Sequence, residues 1–337
     1  MRKYAVGSIY AFIHFSVEIA CFYFLFDRLS VSPVWWALAL LYDAIAFLPQ
    51  SFLGILQDRF PKWNIGFAGA ILMLLALVMP WDITALILIS MGNAMIHISG
   101  AVHTLQDSHG KIAPNAVFVG GGSFGVIAGQ LLGGLHLPYL VAIPIALICI
   151  SCFLLWQMPQ IHALPGSPSQ FHIGSHLSTG FIVLLAGIAV AIRSYIGYAI
   201  PTEWNKTVPQ TIMLFICMGL GKSLGGILAD NIGYRKTTWI SLLGGLPFLL
   251  FGNNNMAVSL IGVALFSMTM PITIAILSSR FPKRPGFAFG ITTVALFVGV
   301  VPALFVQPEG LWAHQVTVFI LSFLALVAIL FCIKKGM

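Results

Sequence analysis

Long apolar runs separated by short polar or turn-rich punctuations fill this chain from end to end. A helix needs about 20 predominantly apolar residues to cross the hydrocarbon core of a bilayer. Twelve such stretches are present, at 4–26, 34–57, 64–80, 83–105, 112–134, 138–157, 177–200, 207–229, 237–252, 254–278, 286–306 and 312–333. The loops between them leave no room for a soluble domain. The pattern predicts an all-α integral membrane protein with twelve transmembrane helices. Arg2 and Lys3 before the first run resemble the start of a signal peptide, but the run is too long, carries Glu18 and lacks a small-x-small cleavage site, so a retained first helix is expected.

The basic residues fix the orientation. With the N-terminus in the cytoplasm, Arg2, Lys3, Arg59, Lys62, Lys111, Arg235, Lys236, Arg280, Lys283, Arg284, Lys334 and Lys335 fall on the cytoplasmic side, and only Arg28 and Lys206 fall outside. Positive charge is retained inside, so both termini are predicted to be cytoplasmic and the protein to be a multi-pass component of the cell membrane. Composition agrees: 59% of residues are apolar, 7% are charged, and the net charge is +7. That excess reflects topology and anionic lipid headgroups; no clustered basic, aromatic-interleaved surface points to nucleic acid. The five cysteines all lie in apolar segments, and the Cys149/Cys152 pair reads as packing rather than redox chemistry.

Residues 158–176 form the longest polar interval, with Pro159, Pro165, Pro168 and three histidines. It reads as a cytoplasmic linker between a first six-helix bundle, 1–157, and a second, 177–337. An internal repeat supports the division. Gly54-Ile-Leu-Gln-Asp58-Arg59-Phe-Pro61-Lys62 is echoed by Gly226-Ile-Leu-Ala-Asp230-Asn231-Ile-Gly233-Tyr-Arg235-Lys236, each at the end of the second helix of its half. Duplication of this kind builds many secondary transporters, in which one bundle rocks against the other around a site near the midplane.

On these two copies the chain resembles the major facilitator superfamily, whose motif A has the form Gly-x-Leu-x-Asp-Arg-x-Gly-Arg-Lys. Pro61 replaces the glycine in the first copy, and Asn231 replaces the arginine in the second. The resemblance implies two six-helix bundles related by a pseudo-two-fold axis, and a gating role for Asp58, Arg59, Asp230 and Arg235. A carboxylate at a helix end, followed by a basic turn, can form charge-assisted contacts that exist in one rocking state only. Helix five carries Gly125-x3-Gly129-Gln130-x2-Gly133-Gly134, similar to the family's motif C, which is associated with proton-driven export. Gln130 takes the place of its proline, and glycines at this spacing also serve close helix packing in any membrane bundle.

Four ionisable residues fall deep within the predicted spans: Glu18, Asp43, Arg193 and Lys222. A charge at the bilayer centre costs about 2.5 to 3.5 kcal/mol on insertion scales, so these residues are expected to face a central cavity or one another. Glu18 or Asp43 is the candidate proton carrier, and His14, four residues before Glu18 on the same helix face, forms a relay with it or tunes it. Arg193 and Lys222 either engage an anionic group on a substrate or pair with the acids. Asn93 and His97 share one face of helix four, and Tyr195 and Tyr198 follow Arg193; all four are candidate substrate contacts. His103, Asp107 and His109 are expected at the solvated mouth. Trp35, Trp36, Trp81, Trp204 and Trp312 are expected to settle at headgroup level.

The expected function is proton-coupled secondary transport of a small organic solute, possibly anionic, by a monomer working without a cofactor, with export favoured over uptake by symport. No Gly-x4-Gly-Lys-[Ser/Thr] pattern supports ATP hydrolysis. A divalent-metal carrier built on His14, Glu18, Asp43 and His97 is the alternative transport chemistry; against it stand the two intramembrane cations and the absence of two histidines on one helix turn, so no metal site is expected. An intramembrane enzyme would need a nucleophile with a base or a His-Glu-x-x-His motif, and a sensor an added soluble domain; the sequence shows none of these.

Overall fold

The computed structural model of the protein describes residues 2–157, 168–199, 202–306 and 308–334. Residues 158–167 of the expected linker, His162 among them, lie outside the described residues, as does Lys335. No strand occurs among the described residues. Among the described residues ten helical runs are long and apolar enough to cross a bilayer: α1 (Ala5–Leu29), α2 (Trp35–Arg59), α4 (Asp82–Gln106), α5 (Ala113–Gly133), α6 (Pro138–Gln157), α7 (Thr179–Tyr198), α8 (Val208–Ile232), α10 (Met256–Arg280), α11 (Pro285–Phe305) and α12 (Leu311–Cys332). Two shorter runs bring the count to twelve. These are α3 (Ile65–Val78) and α9, in which Tyr234–Thr238, Trp239–Leu243 and Gly244–Phe251 run on into one another. At 1.5 Å per residue, the 14 residues of α3 span only about 21 Å. Helices three and nine of the predicted set are thus the short members, one in each half.

Proline and glycine set the ends and bends. Pro114, Pro209 and Pro285 occupy the first turns of α5, α8 and α11, where a missing N–H costs nothing. Thr207 and Gln210 close a capping box before α8. Gly233, at φ +90°, makes the turn between α8 and α9 that a side chain would strain. Within α2 the helix is interrupted at Leu48 and Pro49, within α10 at Met268 just ahead of Pro271, and in α9 a π-turn ends four residues before Pro247. Each break lies where a proline ring would crowd the carbonyl of the preceding turn.

The tightest helix pair in the first half is α1 against α5. Gly121, Gly125, Gly129 and Gly133 form a stripe down α5, and a Cβ at any of them would overlap the carbonyl oxygen of Ala11, Phe15, Ile19 or Tyr23 respectively. Backbone therefore lies on backbone along four turns, as small-residue stripes allow in lipid. Gln130 is half-buried in an unbroken α5, whose Gly134 N–H still reaches the Gln130 carbonyl at 2.9 Å. The kink that proline would bring is absent.

The two halves meet along two symmetry-related crossings, α2 with α11 and α5 with α8. Gly54 and Gly290 sit in the first crossing, Gly120, Gly219 and Gly226 in the second, each against the opposing helix. Linker residues strap the ends of α10 and α12 in the second half. The Ser169 N–H donates to the Pro282 carbonyl at 2.7 Å and its hydroxyl to the Ser278 carbonyl at 3.2 Å, Arg280 donates to the Ile173 carbonyl, and the Lys334 N–H to the Gly174 carbonyl at 2.7 Å. Phe171 and Ile173 of this strap are buried. At the opposite end Arg28 ties α1 to the α3–α4 turn, bonding Asp82 at 2.5 Å and the Met79 carbonyl at 2.7 Å. Trp36, Trp81 and Trp312 are exposed, as interfacial anchors are; Trp204 departs from that expectation and is 8% exposed.

Candidate functional site

The deepest polar cluster forms around one carboxylate oxygen. Glu18 Oε1 lies 3.3 Å from His14 Nε2, one turn away on α1, and 3.5 Å from His97 Nε2 on α4. The three side chains are only 8 to 10% exposed, and the two imidazole rings meet edge to face with centroids 4.3 Å apart. Each ring spends its other nitrogen on the backbone: His14 Nδ1 lies 2.8 Å from the Phe118 carbonyl, and His97 Nδ1 lies 3.0 Å from the Asn93 carbonyl. A carbonyl oxygen only accepts, so each Nδ1 carries a hydrogen, and in the neutral ring Nε2 is a lone pair.

That tautomer dictates the chemistry. Two Nε2 lone pairs and a carboxylate oxygen, all acceptors, converge on one point. A group of three acceptors out of water is tolerable only with a positive centre between them. One proton, on Glu18 or on either imidazole, turns an acceptor into a donor and so makes one of the two contacts to Oε1 a hydrogen bond.

Helix α5 is the common wall of this cluster and of a second one. Besides the Phe118 carbonyl, it presents Gly122, where a Cβ would strike the His14 ring, and Gly125, where it would press on Glu18 Cβ. Between them Ser123 Oγ accepts from Lys222 Nζ at 2.8 Å, so α8 of the second half reaches α5 one residue from the His14 contact. Arg193 on α7 is half-buried, and its Nη1 is buried without a partner. Among the described residues neither cation forms an ion pair with Glu18 or Asp43.

The other sequence-singled residues separate. Asp43 is half-buried on α2 and joins no ion pair among the described residues. Asn93 Nδ2 donates to the Tyr42 hydroxyl at 2.6 Å and meets Cys21 Sγ at 3.4 Å, cross-bracing α4 to α1 and α2. Tyr195 donates to the Val306 carbonyl at 2.8 Å, which holds α7 to the end of α11, whereas Tyr198 is 55% exposed. His103 stacks on Tyr10 with centroids 5.4 Å apart. The structure thus moves His97 from the substrate-contact set to the Glu18 cluster. Tyr42, Ser123 and the Phe118 carbonyl were invisible in the sequence, because their roles depend on which faces of three helices meet.

The repeated motif has its own geometry. Asp58 accepts from the backbone N–H groups of Gly286 and Phe287 at 3.0 and 2.9 Å, at the start of α11. Asp230 accepts from Ile112 and Ala113, both at 2.9 Å, at the start of α5. Each aspartate thus caps a helix of the opposite half, where free N–H groups and the helix dipole favour an anion. Gly54 and Gly226, four residues earlier, let the backbones close enough for this. The arginines do not join in. Arg59 lies over the Phe60 ring at 5.6 Å, and Arg235 donates to the Leu330 and Ile333 carbonyls at 3.1 and 2.7 Å, capping the end of α12. The prolines at 114 and 285 were the available sequence signal for the two helices whose N–H groups donate to the aspartates.

Twelve helices in two symmetry-related bundles, with paired aspartates latching each bundle to the other, define the fold of the major facilitator superfamily of transporters, as the internal repeat implied. Comparison with solved structures agrees. The chain superposes on the major facilitator transporter FucP in the outward conformation with a TM-score of 0.71 at 14% identity, covering 98% of this chain and 99% of that one. A second structure, of the E. coli fucose:proton symporter FucP, gives 0.66 at 13% identity over 98% of each chain. In sequence, the fosmidomycin resistance protein of Escherichia coli K12 is 23% identical over 245 residues, 63% of this chain; the match spans 60% of that relative's length. No family model matches the chain.

Proposed function

We propose that the protein is a proton-coupled secondary transporter of a small organic anion, in which the His14–Glu18–His97 cluster holds the transported proton and Arg193 and Lys222 hold the solute. The observation that carries this reading is the convergence of two imidazole nitrogens on Glu18 Oε1, an arrangement of three acceptors that a bound proton relieves. The coupling follows from the shared wall. Lys222 is tied to Ser123 on α5, and the same helix packs on His14 and Glu18, so a solute that draws Lys222 away disturbs the face on which the proton rests. The cations lie on α7 and α8 of the second half and the proton cluster on α1 and α4 of the first, so rocking of one half against the other alters both sites together.

The two halves, 1–157 and 177–337 joined by the 158–176 linker, are the rocking bodies. With the basic-residue bias putting both termini in the cytoplasm, the Asp58 and Asp230 latches and the linker strap lie on the cytoplasmic side, and the protein works in the cell membrane as a monomer. The glycine run in α5 favours export over uptake. In the metal-carrier alternative a divalent cation takes the solute's place.

The test is proton movement driven by solute. Purified protein is reconstituted in liposomes enclosing a pH-sensitive dye, and organic anions, organic cations and neutral metabolites are added in turn. The reading predicts that at least one anion drives proton flux, and that Arg193→Gln weakens its effect by about tenfold or more, the scale of one charge-assisted contact. Proton flux driven only by cations or neutral solutes overturns the assignment of Arg193 and Lys222. Solute movement with no proton flux overturns the coupling.

A further inference from the structure

We propose that His14, Glu18 and His97 are the protein ligands of a binding site for a divalent transition-metal ion of the zinc class. Their donor atoms lie within 4.8 Å of one another. Two imidazole nitrogens and a carboxylate oxygen are the donor set such an ion takes, whereas magnesium and calcium require more oxygens than this pocket offers. The spacing fits as well. Bonds of about 2.0 to 2.1 Å in a tetrahedron place neighbouring ligand atoms about 3.3 to 3.4 Å apart, and the two contacts to Glu18 Oε1 measure 3.3 and 3.5 Å.

Both rings are already fixed for this task. Their Nδ1 atoms are occupied by the Phe118 and Asn93 carbonyls, which leaves the Nε2 lone pairs aimed inward; metal-bound histidines are oriented in this way by a carbonyl or carboxylate behind them. The Glu18 carboxylate offsets half of the ion's charge. Lys222 is engaged with Ser123, and no Lys or Arg lies within 4.0 Å of Glu18 among the described residues. Three protein ligands leave one tetrahedral position for water or for a donor atom of a bound solute. The ligands come from two helices, and the outermost two, His14 and His97, are 83 positions apart, so no linear metal motif announces them. The site is argued from the donor geometry, and a bound ion would compete with the transported proton for the same three atoms.

Cobalt(II) is the probe, because its visible absorption distinguishes a four-coordinate nitrogen and oxygen site from the hexa-aqua ion. Titration of the purified full-length protein in detergent is expected to give intense visible bands that saturate at one equivalent and are displaced by zinc. Glu18→Gln and His97→Gln are expected to weaken binding by at least about 100-fold. Replacing the exposed linker histidines, His172→Gln with His176→Gln, is expected to leave the bands unchanged. Because a buried substitution can unfold the bundle, His97→Cys provides a second arm. It keeps a ligand, and its complex is expected to add a thiolate-to-cobalt band at shorter wavelength. Absence of saturable bands in the wild type, survival of the bands in His97→Gln, their loss with the linker histidines, or a His97→Cys complex without the thiolate band each overturns the site. Proton flux in metal-free liposomes is read separately, so failure of one assay leaves the other informative.

Discussion

Glu18 stands at the centre of the polar chemistry because a single oxygen faces two imidazoles whose other nitrogens are already committed. Replacing Glu18 with Gln keeps the shape but removes the exchangeable carboxyl proton, so solute-driven proton flux should be lost while solute binding persists. Asp43→Asn, by contrast, should leave the proton flux within about twofold of wild type, because Asp43 makes no ion pair with the cluster among the described residues; the two variants compared in the dye-loaded liposomes separate the two acids. The His14–Glu18 pair was legible in the sequence from its four-residue spacing on one helix. The entry of His97 was not. Helix α4 is apolar on most of its surface, and a nearly uniform apolar pattern leaves its rotation about its own axis undetermined. The same ambiguity hid Tyr42 and Ser123, and it left open whether Arg193 and Lys222 pair with the acids, which they do not do here.

Helix packing is governed by glycine where backbones must touch. Gly125 sits on the Phe15 carbonyl and against Glu18 Cβ, so Gly125→Val should cost about 1 to 3 kcal/mol through overpacking and displace the Glu18 side chain. A lowered thermal midpoint together with loss of proton flux is the expected pair of outcomes, whereas Gly187→Ala, where a Cβ meets nothing within 4 Å, should change neither. The twelve spans were legible from hydropathy to within a few residues, because lipid demands long apolar helices wherever the chain crosses. The internal breaks of α2, α9 and α10 were less legible. A proline permits a bend, but whether the helix stops, forms a π-turn or runs on depends on what packs beside it, as the unbroken end of α11 around Pro302 shows.

At the scale of the whole molecule, two aspartates hold the halves together by capping each other's helices. Asp58→Asn and Asp230→Asn retain one acceptor but lose the charge, at about 1 kcal/mol each, or about fivefold in the ratio of closed to open forms. Spin labels at the exposed positions 62 and 236, one in each half, should then report a larger share of long distances across the linker face. The sequence pointed to both aspartates through the repeat, yet their partners are backbone N–H groups, which no side-chain pattern displays. The same labels give the most direct test of the central claim, that a proton in the Glu18 cluster biases how the halves rock, and they need no known solute. Distance distributions are recorded by electron–electron double resonance from mildly acidic to mildly alkaline pH, in otherwise wild-type protein and in Glu18→Gln. The account predicts that pH shifts the closed-to-open ratio in the former and leaves it fixed in the latter. A pH response of equal size in Glu18→Gln, or none in either protein, would contradict it.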